Sequence, residues 1–319
     1  MVRTCIIVAS HITKSIRVKY LCESLDSLLG QTMVIPIFLS ISFEDNLVFE
    51  IFKKQLGRKN LLDNAGITIF YREKQTSQFR HIFQVFESVK YDFDYIMFCD
   101  DDDTYDDCRV EMFMASIDYT LEEIKSHNSD KIFVGAYETK DGISHSKKYT
   151  EYWNYCISST FIQKLETIIK EGNFDRHIDN NYFDMMFGSY LRFLNNKHLF
   201  TLINLKMYNY NKYDSSILGI IKENNTLHKQ ITYRNINNPI ESLSICNDYI
   251  RLHLDGLKQN MFLKISYGHN YDECNVIKEC FPEEEDRFIS LLDRRLIQDL
   301  RCYYLDAKKL AVSLGIHYN

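Results

Sequence analysis

Proline and glycine are scarce: 3 and 11 in 319 residues. So little of either excludes collagen-like repeats, long flexible linkers and a disordered chain. No apolar segment approaches the ~20 residues that a membrane span needs, and the run from Cys5 to Ala9 is too short for a signal-peptide core. The nine cysteines include no CxxC pair and no Cys/His cluster at zinc spacing. Their odd count without framework spacing reads as reduced thiols, so a soluble, cytoplasmic chain without a transmembrane segment is expected. Positive charge is also short, with 38 Lys and Arg against 44 Asp and Glu, a net charge of −6. Nucleic-acid phosphates call for a basic surface, so no nucleic-acid partner is expected. A nucleotide held with a divalent cation remains compatible with that charge.

What the chain does have is apolar and aromatic content, 45% and 14%, ample for one large domain with or without an appendage. "TCIIVAS" is a short apolar run that reads as a buried strand. "SIRVKYLCESLDSLLG" follows with Ile16, Tyr20, Leu21, Leu25, Leu28 and Leu29 at helical spacing, Ser15 at its N-cap and Gly30 at its end. "MVIPIFLSIS", "GITIFYR" and "DYIMFCD" repeat the strand pattern, with helical segments ending in Gly57 and at "FESV" between them. Such alternation predicts an α/β fold with a mixed, mostly parallel sheet flanked by helices. The pattern beyond predicts a helix from about Asn180 with Asp179 at its start, and a late strand over "HLFTLINLKMYNY". It turns helical from about Ile240, and Pro282 with the acids after it reads as a helix first turn. With the polar connector "KENNTLHKQITYRNINNP", this sets expected units of 1–225 and a helical C-terminal extension of 226–319. Those helices could pack on the first unit or support oligomerisation.

"FCDDDDTY", residues 98 to 105, sets four carboxylates together at the carboxyl end of the fourth strand. Parallel α/β sheets bind ligands in the crevice beyond that edge. Four readings are open. The run is a solvated acidic turn. It is a calcium loop, since Asp100, Asp102, Thr104, Asp106 and Glu111 have EF-hand ligand spacing, although Tyr105 stands where the sharp turn needs Gly. "DDDDT" also resembles the first motif of haloacid-dehalogenase-like phosphatases, with Asp100 as nucleophile and Asp102 as acid/base beside Mg²⁺. In the fourth reading, two carboxylates at x and x+2 hold Mn²⁺ or Mg²⁺ against the diphosphate of a nucleotide-sugar donor.

Several segments together resemble glycosyltransferases of the GT-A fold, especially family 2. "YLCESLDSLLGQT" looks like that family's first helix, and "SQFRHIFQVFESVKYDFDYIMFCDDDD" like its Arg-Asn-containing helix leading into the aspartate motif. "GNFDRHIDNNYFD" is similar to the later Gly-Phe-Asp-Glu and Glu-Asp region, with the Glu-Asp pair degraded. The usual Pro-x-Tyr-Asn after the first strand is replaced by Ser10, His11, Ile12 and Thr13. The likeness covers residues 4 to 210 and is specific around 20–32 and 95–105.

The resemblance implies a Rossmann-like GT-A fold and transfer of a sugar from a nucleotide-diphosphate donor, a UDP-sugar, to an acceptor hydroxyl with inversion. The acceptor it implies is a saccharide, glycan or glycoprotein, and the cofactor Mn²⁺ or Mg²⁺. Carried over by position, Ser10, Arg80, Asp100 and Asp101 would contact the nucleotide, and Asp102 and Asp103 the metal, with the register within the four aspartates open. Asp179, with Asp184 as substitute, would be the catalytic base, and Trp153 would stack on the acceptor. The plainer alternatives are a surface ion pair for Arg80, a helix cap for Ser10 and Asp179, and core packing for Trp153. His145 and His228 are imidazoles available to a metal, with structural or surface roles the default. A phosphatase using Asp100 and an inactive nucleotide-binding scaffold remain the rival functions.

Overall fold

The computed structural model describes residues 2–127, 132–139, 151–211, 239–280 and 290–318. The polar connector, the helix start at Pro282, His145 and His228 lie outside them. Contacts divide the chain into two compact units, one running to Tyr210 and taking in Leu310–His317, the other spanning Asn211–Lys309.

The first unit begins with the alternation that the sequence predicts: β1 (Thr4–Ile12), α1 (Ser15–Leu29), β2 (Ile37–Phe43), α2 (Asn46–Arg58), β3 (Ile67–Tyr71), α3 (Gln78–Val89) and β4 (Tyr95–Asp100). It continues through β5 (Thr104–Tyr105), α4 (Arg109–Ser126), β6 (Gly135–Glu138), β7 (Tyr155–Ser158), α5 (Ser159–Glu171), α6 (Phe183–Asn196), β8 (Phe200–Ile203) and β9 (Tyr208–Asn209). Seven strands form one sheet in the order β3-β2-β1-β4-β7-β6-β8. Neighbours run parallel except that β7 is antiparallel to both β4 and β6. The anticipated fold class is therefore what the chain adopts.

β1 lies inside the sheet, and Cys5 to Val8 are at most 1% exposed. A strand covered on both faces needs a continuous apolar run, which is why "CIIVA" shows no alternation. Each such aliphatic side chain contributes roughly 1.5–3 kcal/mol through burial. α1 covers one face with Val18, Leu21, Cys22, Leu25 and Leu28, the one-sided spacing that Ile16, 45% exposed, falls outside. Its N-cap is Lys14 rather than Ser15, and no side chain caps it.

Two further expectations change. The stretch from Asp175 to His177 is a 3-10 turn, and α6 begins only at Phe183, so Asp179 lies in the connection and caps nothing. Asn180 Oδ1 accepts the Tyr182 N–H at 2.9 Å, a local alternative to helix that delays the start. The expected late strand divides: β8 pairs with β6, whereas β9 leaves that sheet and pairs with β5.

The described part of the second unit is helical, with α7 (Pro239–Ser266), α8 (Glu273–Cys280) and most of α9 (Arg294–Ser313). Ile250, Leu257, Met261, Phe262, Ile265, Val276, Ile277 and Leu300 are buried within it. Lys258 on α7 meets Asp299 on α9 at 2.7 Å. Among the described residues no helix is long and apolar enough to cross a membrane.

Candidate active site

The register of β1 on β4 sets Ala9 opposite Asp100, so the next residues, Ser10 and Asp101, meet where β4 ends. Ser10 Oγ donates to Asp101 Oδ2 at 2.5 Å, and its hydroxyl is committed there rather than to a helix cap. Asp101 Oδ1 takes Arg17 Nη2 at 2.6 Å, and the same nitrogen lies 3.7 Å from Asp102 Oδ2. Arg17 arrives because β1 turns directly into α1 at this edge, placing the helix's first turn beside the tip of β4.

The other aspartates turn elsewhere. Asp100 Oδ1 accepts Gln78 Nε2 at 2.7 Å and the Tyr152 hydroxyl, while Gln78 also reaches the Tyr152 oxygen at 3.0 Å. Asp103 is wholly buried, and its Oδ2 accepts the Tyr208 hydroxyl at 2.8 Å. The Tyr208 oxygen in turn receives the Asp100 backbone N–H at 3.1 Å. The four carboxylates thus take different partners, and Asp100 and Asp102 are the more exposed two.

Both are electrostatically costly as anions. Burial, then Asp103, pushes the Asp100 carboxyl well above the usual range, although the Tyr152 hydrogen bond opposes this. Burial and the neighbouring Asp101 push Asp102 up to about 6 against the pull of Arg17. Burial works against the Arg17 charge too, but Asp101 and Asp102 outweigh it. Among the described residues no three carboxylates, imidazoles or thiols converge to cage an ion. Mg²⁺-type ions are usually held by one or two carboxylates, water and the phosphates of a substrate, and Asp100 with Asp102 fits that donor set.

Under the tip, Arg109 and Glu138 form a fully buried pair at 2.7 Å. Glu138 Oε2 accepts the Met207 N–H at 2.7 Å, Arg109 Nη2 donates to the Trp153 carbonyl at 2.7 Å, and the guanidinium lies 3.9 Å from the Tyr105 ring centre. This pair fixes the β9 segment that carries Tyr208. Trp153 is half-buried and stacks on Tyr208 (5.7 Å, 23°) and Tyr210 (5.8 Å, 4°), while 36% of Tyr210 is exposed. Trp153 is thus largely engaged by its own neighbours, and Tyr210 offers the open ring.

Arg80 and Asp179 are brought together, in an ion pair. Arg80 Nε and Nη2 hold the two Asp179 oxygens at 2.7 and 2.6 Å, Asp175 adds a contact at 3.3 Å, and Ser77 donates to Asp179 at 3.0 Å. Arg80, through these hydrogen bonds, holds the Asp179 carboxyl below its ordinary value. The helix reaches the aspartate run through Gln78 instead. Asp184, in the first turn of α6, has its Oδ1 buried with no hydrogen-bond partner among the described residues. Burial, with a smaller push from Glu151, raises its carboxyl to about 7, and its field reaches the Tyr152 phenol that bonds Asp100.

Arg17, Gln78, Tyr152, Tyr208 and Arg109 were not singled out from the sequence. Only the first two had a readable signal: Arg17 opens the helix after the first strand, and Gln78 opens the helix that carries Arg80.

No protein-family model matches the chain, and no curated protein does. Solved structures superpose on it loosely. The crystal structure of S. aureus TarS gives a TM-score of 0.42 at 12% identity, covering 98% of this chain and 55% of that one. S. aureus TarS 1-349 in complex with UDP gives 0.41 at 11%, covering 98% and 91%. The mannosyltransferase PcManGT from Pyrobaculum calidifontis, in complex with GDP-Man and Mn²⁺, gives 0.34 at 10%, covering 99% and 85%. The chain spans about half the length of the first of these. Superpositions this loose carry no argument about function, which has to come from the site.

Proposed function

We propose that this chain is a dication-dependent glycosyltransferase that moves a sugar from a nucleoside-diphosphate donor, a UDP-sugar by preference, to a saccharide hydroxyl. One observation carries the reading: two desolvated carboxylates, Asp100 and Asp102, stand at the C-terminal edge of a parallel half-sheet, and among the described residues no cluster of three ligands cages an ion there. Such a pair suits a cation shared with a ligand's phosphates. A bound Mn²⁺ or Mg²⁺ supplies neutralisation of the charge that develops on the diphosphate leaving group. Asp101 and Asp103, fixed by Ser10 and by Tyr208, hold the tip in shape.

For the acceptor proton, Asp184 is a better base than Asp179. A general base works best with its pKa near the working pH, and burial raises Asp184 to about 7. Asp179 is instead held low by a bidentate guanidinium. The open ring of Tyr210, backed by Trp153, is a surface for the apolar face of an acceptor sugar. A base opposite the leaving group gives inversion.

The test is a panel of nucleotide sugars with Mn²⁺, read by thermal unfolding and by donor turnover. One donor at a hundredfold its Kd is expected to stabilise the protein by about 2.7 kcal/mol, and Asp102→Asn to abolish this. An undiminished shift in that variant removes the aspartate tip from donor binding. Phosphoester hydrolysis lost in Asp100→Asn would move the assignment to a phosphatase.

A further inference from the structure

Arg17 is bonded in a way that leaves its chemistry unfinished. A guanidinium presents a rigid fork of five donors and pairs best side-on with two oxygens. Here one nitrogen, Nη2, makes both carboxylate contacts, 2.6 Å to Asp101 and 3.7 Å to Asp102. Nε is buried with no hydrogen-bond partner among the described residues. The side chain is only 15% exposed, so water does little to compensate. Asp101 is meanwhile anchored from its far side by Ser10, and so cannot follow the guanidinium if it moves. Arg17 is also the cation that meets the aspartate run among the described residues.

We propose that Arg17 is a built-in counter-ion: it holds the acidic tip in the cation-free protein, competes there with the dication, and once displaced becomes a bidentate ligand of the donor diphosphate. The inference rests on the donor-binding reading above and adds a residue and a coupling to it. A dication taking Asp102 alone meets the repulsion of a guanidinium whose Nη2 lies 3.7 Å from that carboxylate and 2.6 Å from Asp101. A diphosphate binding alone meets the repulsion of the carboxylates. Bound together, each removes the obstacle to the other, because the fork finds two phosphate oxygens while the cation takes the carboxylates. Cation and nucleotide therefore bind with positive, reciprocal coupling that runs through Arg17.

Mn²⁺ binding to the full chain, followed by the paramagnetic resonance of free Mn²⁺ and by calorimetry with and without UDP, tests this. UDP is expected to tighten Mn²⁺ binding to the native chain by roughly 5- to 150-fold, and Mn²⁺ to tighten UDP by the same factor. In Arg17→Gln, Mn²⁺ alone is expected to bind about fivefold tighter or more, UDP weaker, and the coupling factor to fall towards one. Arg17→Lys keeps the charge without the fork, so its Mn²⁺ affinity should stay near native while most of the coupling is lost. A thermal melt shows that each variant is folded, and should Arg17→Gln fail to fold, Arg17→Lys decides alone. Coupling of native size in either folded variant overturns the proposal, as does weaker Mn²⁺ binding by Arg17→Gln. If the native chain binds neither Mn²⁺ nor UDP, the donor-binding reading itself is lost, a result distinct from unchanged coupling.

Discussion

Arg109 with Glu138 and Arg17 with the aspartate run are both guanidinium–carboxylate pairings in the first unit, yet they are opposite in design. Arg109 meets one carboxylate, wholly buried, beside a backbone carbonyl and an aromatic ring, while its Nη1 lacks a hydrogen-bond partner among the described residues. Arg17 meets a run of four carboxylates, partly open, through a single nitrogen. The first arrangement is balanced charge for charge and acts as a fixed bolt under β9. Among the described residues the second sets one cation against four carboxylates, and their mutual repulsion is part of what raises Asp100 and Asp102. A one-to-one pairing that is wholly buried holds structure, whereas a partly exposed one with several carboxylates is accessible to a ligand.

Breaking the bolt should have the largest effect. Glu138→Ala leaves a buried guanidinium uncompensated and is expected to cost about 3–5 kcal/mol, read from the urea midpoint. Replacing both partners together, Arg109→Met with Glu138→Leu, should cost much less than either single change. If the single and double variants are equally unstable, the pair is not the compensated unit described.

Asp184 sharpens the contrast from the side of chemistry. Asp184→Asn is expected to lower turnover by about 10²- to 10⁴-fold while leaving UDP binding intact. In the native chain kcat/KM should rise with pH through about 7, as the raised carboxyl loses its proton, and this limb should vanish in the variant. Stability runs the other way. The folded chain keeps this proton to higher pH than the unfolded chain, so the contribution of Asp184 is full below about pH 4 and falls away as pH rises towards 7. The difference between native and Asp184→Asn denaturation curves across that window measures it.

The smallest effect is expected from Arg80 with Asp179. It has good bidentate geometry, but the side chains are 29% and 54% exposed, and water and salt screen such a pair. Asp179→Asn should cost about 1 kcal/mol or less and lose that difference in high salt. A loss of turnover as deep as that of Asp184→Asn would instead return the base assignment to Asp179.

The alternation from Thr4 to Asp100 was legible because buried strands and one-sided helices write their periods directly into the chain. The crevice position of the aspartate run followed from that alternation. The start of α6 was not legible, since Asn180 and the 3-10 turn before it compete locally with helix. Nor was the division of the late strand: Phe200–Ile203 and Tyr208–Asn209 are both strand-forming, and only their partners differ. Trp153 was visible as an aromatic outlier, but its engagement by Tyr208 and Tyr210 depends on where β9 is held.

The chain alone determined the layered α/β architecture and the presence of four acids at a strand tip, because periodicity and local order are properties of neighbours in sequence. Which acid faces what was decided only in three dimensions. Asp101 and Arg17 are 84 residues apart, and Asp103 and Tyr208 are 105 apart. Contacts at such separations depend on strand order and register, and it is those that divided four chemically identical aspartates into buried and part-exposed carboxylates.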